Sequence, residues 1–457
     1  MSAESRVYQT PVLAPKVEGY MLESGFWIGL AADAGDLILN QTEIAELNRR
    51  SFQRMKEMGW QEALYNLEDY PEIITREELL ETMVRYSGKK AFPGEKRYNQ
   101  WGEEISTAEK EQILSRVNFS GIPEKIRVRF GILVEGQDVR AFPTETVFAP
   151  SPAQTDMDLF QLTRLSANTP VAVLHRSSDG KWSYIQSTIY RGWVKTKSIA
   201  LAKDREQVFD FLNTDRFLVV TGSWVETEPN PFIPEISNIS YQMGDRLPLA
   251  DPGEIPESIP PDNQQAQSPE GCYVIKVPVR DKEGYLKVQL ALIARSKDLH
   301  EGYLPYTREN LIRQAFKMLG ERYGWGGKFK RRDCSRFVLD IYRTVGVILP
   351  RDTGTQEEGA AGKSIKFSGT AEEREMILAG LKPGDPLYLK GHVMIYLGRV
   401  GDNFYVIHDG SGYGVIDNQG EIKPVTVHGV FVMELHQLLK SGRKSYLEVL
   451  TTARQFQ

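Results

Sequence analysis

Cys334 is one of two cysteines in a chain of 457 residues, and its surroundings, RRDCSRFVLDIYRTVG, suit a reactive thiol. Phe337, Val338, Ile341, Tyr342 and Val345 recur at helical spacing, which predicts a helix over about 334–345 that stops at Gly346. Asp333 is placed to cap it. Cys334 then falls in the first turn, where the positive end of the helix dipole favours thiolate over thiol. A thiolate is the form that attacks a carbonyl carbon. Arg331, Arg332 and Arg336 add positive charge to the same neighbourhood.

A thiol nucleophile needs a partner that takes its proton and later delivers one to the leaving amine, and imidazole does this near neutral pH. The chain has six histidines. His392 opens GHVMIYLGRV and His408 closes NFYVIHDGSG, two alternating runs around Gly401, Asp402 and Asn403. A hairpin symmetric about residue 400 sets the two histidines opposite each other on one face, with Cβ atoms roughly 4.5–5.5 Å apart. A slip of one residue would separate them. One ring then acts as base while the other orients it. His175, His428 and His436 lack such a setting and read as structural. One cysteine and two histidines also make three zinc ligands, but the expectation is no metal and no cofactor.

Three textures surround these residues. Residues 1–125 read as a helical N-terminal segment, with helices expected at QTEIAELNRRSFQRMKEM (Thr42 as cap), TREELLETMVRYS (Thr75 and Glu78 as a capping box) and STAEKEQILSRV. Residues 126–200 and 201–300 read as two small β-barrels, the second carrying a Pro-rich loop at 252–270. In them Trp182, Trp193 and Trp224 fill the cores or meet a ligand. Cys272, opening CYVIKV, reads as a small buried hydrophobe. Residues 301–457 read as an α+β domain. The fold class expected is multidomain α+β.

Bulk properties exclude several functions. A formal charge of −5 and a pI near 5.9 argue against a nucleic-acid partner. No apolar run is long enough for a transmembrane helix, and two cysteines cannot form a disulfide scaffold. No secretory leader opens the sequence. The expectation is a cytoplasmic protein if Met1 is native, and a cell-envelope protein if a leader has been removed.

Four motifs in order, Tyr323-Gly-Trp325-Gly-Gly, Asp333-Cys334-Ser335-Arg336-Phe337, Leu349-Pro350-Arg351-Asp352 and Gly391-His392-Val393, resemble those of the NlpC/P60 peptidases. The two barrels resemble bacterial SH3 (SH3b) domains, and the first 125 residues resemble the stabilising segment of multidomain members. The resemblance implies a papain-like core with Cys334, His392 and His408 as its triad, and a substrate pocket of Tyr323, Trp325, Asp333 and Ser335. Asp333 would then meet a substrate ammonium. It implies cleavage of the γ-D-glutamyl bond to diaminopimelate or lysine in murein peptides bearing a free N-terminal L-alanine, so the partner expected is murein peptide or peptidoglycan. Two other readings stay open: an inactive cell-wall binding protein, and an amidase or acyltransferase on the same core.

Overall fold

The computed structural model describes residues 13–87 and 95–457. The first twelve residues, on which the leader reading rests, lie outside them. Contacts sort the chain into two compact units that do not follow chain order. One combines residues 39–306 with 323–362 and the last two residues; the other combines the N-terminal stretch to Ile38 with 307–322 and 363–455.

In the first unit, helices run over Gln41–Glu57, Arg76–Ser87 and Thr107–Arg116. Asn40, not Thr42, caps the first. Its side chain accepts from the N–H groups of Thr42 and Glu43, and Glu43 reaches back to the Asn40 N–H. Asn40 stands one residue earlier, where the backbone is still extended, as a cap must be. Thr75 with Glu78, and Ser106 with Glu109, form reciprocal caps for the other two.

Seven antiparallel strands follow in one sheet. In spatial order they are Ile199–Leu201, Arg129–Leu133, Pro170–Arg176, Trp182–Gln186, Arg191–Lys195, Gln137–Arg140 and Gln161–Leu165. Trp182 and Trp193 are buried in this sheet's core, and the Trp193 indole N–H donates to Ser87 Oγ at 3.1 Å. Trp224 does otherwise: it is half-buried beneath the Arg332 guanidinium, 5.4 Å from its ring centroid.

Residues 217–301 form short sheets around a separate core that includes Leu218, Val220, Tyr241, Ile275 and Ile293. Its longest hairpin pairs Cys272–Arg280 with Leu286–Ala294. Cys272 is only half-buried, because it occupies the strand's first position, where the ladder opens to solvent.

The second unit is built on a sheet whose central strands are Pro386–Leu389, His392–Val400 and Asn403–Ile416, with Ile422–Glu434 paired to the last. Trp27, fully buried, packs its ring 5.4 Å from that of Tyr405 and ties the N-terminal helix Ser24–Leu30 to the sheet. The helix Arg308–Phe316 is held by a buried ion pair between Arg308 and Asp385. No helix among the described residues is long and apolar enough to cross a membrane.

Candidate active site

Cys334 is the first residue of the helix Cys334–Arg343, with Asp333 as N-cap accepting from the Arg336 N–H at 3.0 Å. Every residue from Cys334 to Tyr342 is buried, so the helix is embedded on all sides. The Cys334 sulfur lies 3.7 Å from Thr353 Oγ1. Two of the three arginines around it are not free positive charges. Arg332 and Arg336 share the buried Asp340 carboxylate at 2.7 and 2.6 Å, so their charge is largely spent within the helix.

Asp333 does more than cap. Arg351 grips its carboxylate with both terminal nitrogens, at 3.0 and 2.6 Å, and the Gly326 N–H and Ser335 hydroxyl add bonds at 3.1 and 3.2 Å. Burial pushes the Asp333 carboxyl up, but Arg351 and these donors outweigh it and hold it below the usual range. With five protein donors its acceptor sites are full. Asp333, expected to meet a substrate ammonium, is thus bound to the protein on both oxygens and holds the turn that carries Cys334. Ser335, expected in the pocket, is buried, and its Oγ accepts from Arg351 at 2.9 Å.

The edge strand Gln161–Leu165 holds this segment in place. Arg351 Nε donates to Thr163 Oγ1 at 2.7 Å, Arg336 to the Arg164 carbonyl at 2.9 Å, and Gln161 to the Gly326 carbonyl at 3.0 Å. Gly326 and Gly327 have positive φ, and a Cβ on either would come within 2.7 or 2.6 Å of Gln161 and Arg164. That close approach explains the glycine pair. Tyr323 and Trp325, which flank it, are both half-buried.

Asp352 and Tyr190 have no role in the motif reading. Asp352 is partly exposed, and the Tyr190 hydroxyl donates to it. Burial raises the Asp352 carboxyl; the nearby Arg351 opposes this without cancelling it, and Asp333 adds to it. The Arg351-Asp352 motif marked the place, but only the fold brings the distant Tyr190 to it.

In the other unit, the strands carrying His392 and His408 pair as a hairpin whose register differs from the symmetric one. Ile395 faces Ile407 rather than Tyr405, with a bulge between Tyr396 and Gly398. The offset is two residues, an even number, so both histidines stay on one face and meet diagonally. His392 Nε2 lies 2.7 Å from His408 Nδ1, and His408 Nε2 lies 3.2 Å from the Met433 sulfur. Both rings are buried. Burial first, then the charge of Lys440, lowers His392 to about 3; burial, His392 and Lys440 lower His408 in the same direction. Both are therefore neutral near pH 7.

A neutral imidazole has one N–H, and the thioether sulfur can only accept. His408 thus carries its proton on Nε2, facing Met433. Its Nδ1 lone pair accepts from His392 Nε2–H, and His392 Nδ1 is left as a free base. Two of the other four histidines do other work: His175 Nε2 meets the Val117 and Asn118 carbonyls, and His436 Nε2 meets Glu375 at 3.0 Å.

The NlpC/P60 family profile matches residues 320–428, which contain Cys334, His392 and His408. Residues 320–428 are therefore similar to the NlpC/P60 family. An SH3 domain of the SH3b1 type matches residues 148–195, including the strand that grips the nucleophile segment. The chain is 33% identical over 112 residues to dipeptidyl-peptidase 6 of Lysinibacillus sphaericus, a match covering 23% of this chain and 37% of that protein. The fold of the chain is similar to that of an NlpC/P60 endopeptidase from Photobacterium damselae subsp. piscicida, with a TM-score of 0.71, 18% identity and 98% of each chain covered.

Proposed function

We propose that this chain is a cysteine peptidase that hydrolyses the γ-D-glutamyl bond to the diamino acid of murein peptides. The observation that carries the reading is the hydrogen-bond relay from Met433 through His408 to His392, which leaves His392 Nδ1 as the base. The cysteine at the start of a buried helix supports the nucleophile assignment, and the curated relative's name supports a peptidase acting near a peptide end.

In this mechanism Cys334 gives its proton to His392 Nδ1, and its sulfur adds to the γ-glutamyl carbonyl carbon. The tetrahedral oxyanion is stabilised by N–H groups at the helix start. As the carbon–nitrogen bond breaks, the proton on His392 passes to the departing amine. Water then adds to the thioester with the same base, releasing the carboxylic acid and restoring the thiol.

The free amine of an N-terminal L-alanine is read by Asp352, whose carboxylate is partly exposed and undercompensated in the protein alone, unlike that of Asp333. The test uses L-Ala-γ-D-Glu-diaminopimelate and the same peptide acylated on its alanine nitrogen. Cleavage of the free peptide, with at least a tenfold loss for the blocked one, is expected. Equal cleavage of both would discard the amine requirement and leave the peptidase reading intact.

A further inference from the structure

A cavity of about 210 Å³ lies within the first unit, bordered by the loop Leu165–Pro170, the turn Gly244–Arg246, and the helix Cys334–Arg343 with the segment after it. At about 30 Å³ per water in the liquid, it has room for a small organic molecule. Its lining is divided by chemistry. Leu165, Ile189, Leu212 and Val347 supply an apolar wall. Ser166 Oγ, Asn168 Nδ2 and Arg246 Nε are buried polar atoms with no hydrogen-bond partner, and all three residues border the cavity.

Ser166 and Asn168 are more than nine-tenths buried, so an unmade bond there is costly. The partners nearby are already committed elsewhere. Asn168 Oδ1 accepts from the Tyr241 hydroxyl at 3.4 Å, and Arg246 lies over the Phe217 ring at 3.9 Å while donating to the Thr214 carbonyl. Arg336 and Arg343 also line the cavity. Its one lining carboxylate, Asp245, is held by Arg343 at 3.2 Å and the Gln242 N–H at 2.7 Å. Arg336 is likewise paired with Asp340, so what the lining offers is hydrogen-bond donors and the positive charge of Arg246 beside an apolar wall.

We propose that this cavity is a binding site for a small carboxylate with a short aliphatic body, its oxygens taken by Ser166, Asn168 and Arg246. The site is separate from the peptidase residues assigned above and does not rest on that assignment. Such a carboxylate has two sources, a free short-chain acid or the C-terminus of a peptide, and both carry the same group.

The test is calorimetric titration of the full chain with isovalerate, N-acetyl-alanyl-valine, isopentylamine and inorganic phosphate, repeated on Asn168→Asp and Ser166→Ala. Asp tolerates the left-handed backbone at position 168, where φ is 64°, and places a negative charge against the ligand. Binding of isovalerate at least tenfold tighter than isopentylamine and phosphate, weakened at least tenfold by Asn168→Asp and severalfold by Ser166→Ala, is expected. Tighter binding of the dipeptide than of isovalerate assigns the peptide source, and the reverse assigns the free acid. Equal binding of amine and acid, phosphate binding as tight as isovalerate, no binding of either carboxylate, or binding unchanged in both variants overturns the proposal.

Discussion

His392 Nε2 and His408 Nδ1 lie 2.7 Å apart across two strands, and the contact settles which nitrogen of His392 is free. In the proposed mechanism the second ring orients the first rather than sharing its chemistry. Replacing His408 by Ala should lower kcat about 100-fold or more with KM little changed, since the orienting bond matters most in the transition state. His408→Gln, which keeps an acceptor, should recover part of the loss. Steady-state kinetics on both variants, with circular dichroism to confirm folding, checks this.

The same pair makes the fold acid-sensitive. His392 is lowered to about 3 in the folded chain, against an ordinary value of 6.5. Between those values the unfolded chain binds a proton that the folded one does not. The stabilisation is thus complete above about pH 6.5 and is lost as pH falls toward 3, by up to about 1.4 kcal/mol per pH unit. His408 acts in the same direction. Thermal midpoints measured from pH 7 to pH 4.5 should fall more steeply for the wild type than for His392→Asn. Parallel curves would contradict a buried neutral His392.

Gly410 sits where the two rings crowd. A Cβ there would lie 2.9 Å from the His408 ring and 3.6 Å from that of His392. Gly410→Ala should therefore push the imidazoles out of register, costing at least tenfold in kcat while leaving the helix Cys334–Arg343 unaffected. An unchanged kcat would show that the rings have room to spare.

Arg351 is the structural counterpart in the other unit. Its removal leaves the Asp333 carboxylate buried and short of its strongest partner, which costs about 3–5 kcal/mol. Arg351→Ala should lower the thermal midpoint by several degrees or more, and Arg351→Lys should restore only part, because the lysine ammonium cannot reproduce the two-pronged grip.

Much of this was legible in the residues. The apolar periodicity after Cys334 and the Asp333 cap place the helix within two residues of its observed end at Arg343, because local spacing and capping are local physics. The hairpin was found but its register was not: the bulge between Tyr396 and Gly398 has no sequence signal strong enough to count residues by. The grip on Asp333 has no sequence signal, because its partner Arg351 stands eighteen positions away and Thr163, which holds Arg351, much farther. A carboxylate next to a nucleophile looks available until the fold brings a guanidinium to it. Met433 and Tyr190 had no motif around them, and their roles come from tertiary contact alone.

The most direct test of the central claim is release of diaminopimelate from L-Ala-γ-D-Glu-diaminopimelate, followed by mass spectrometry for the wild type, Cys334→Ala and His392→Ala. Release by the wild type, none by Cys334→Ala, and a loss of about 1,000-fold or more in His392→Ala is the expected result. Cleavage that survives in Cys334→Ala, or a wild type that leaves the peptide intact, would contradict the assignment of this chain as a cysteine peptidase of murein peptides.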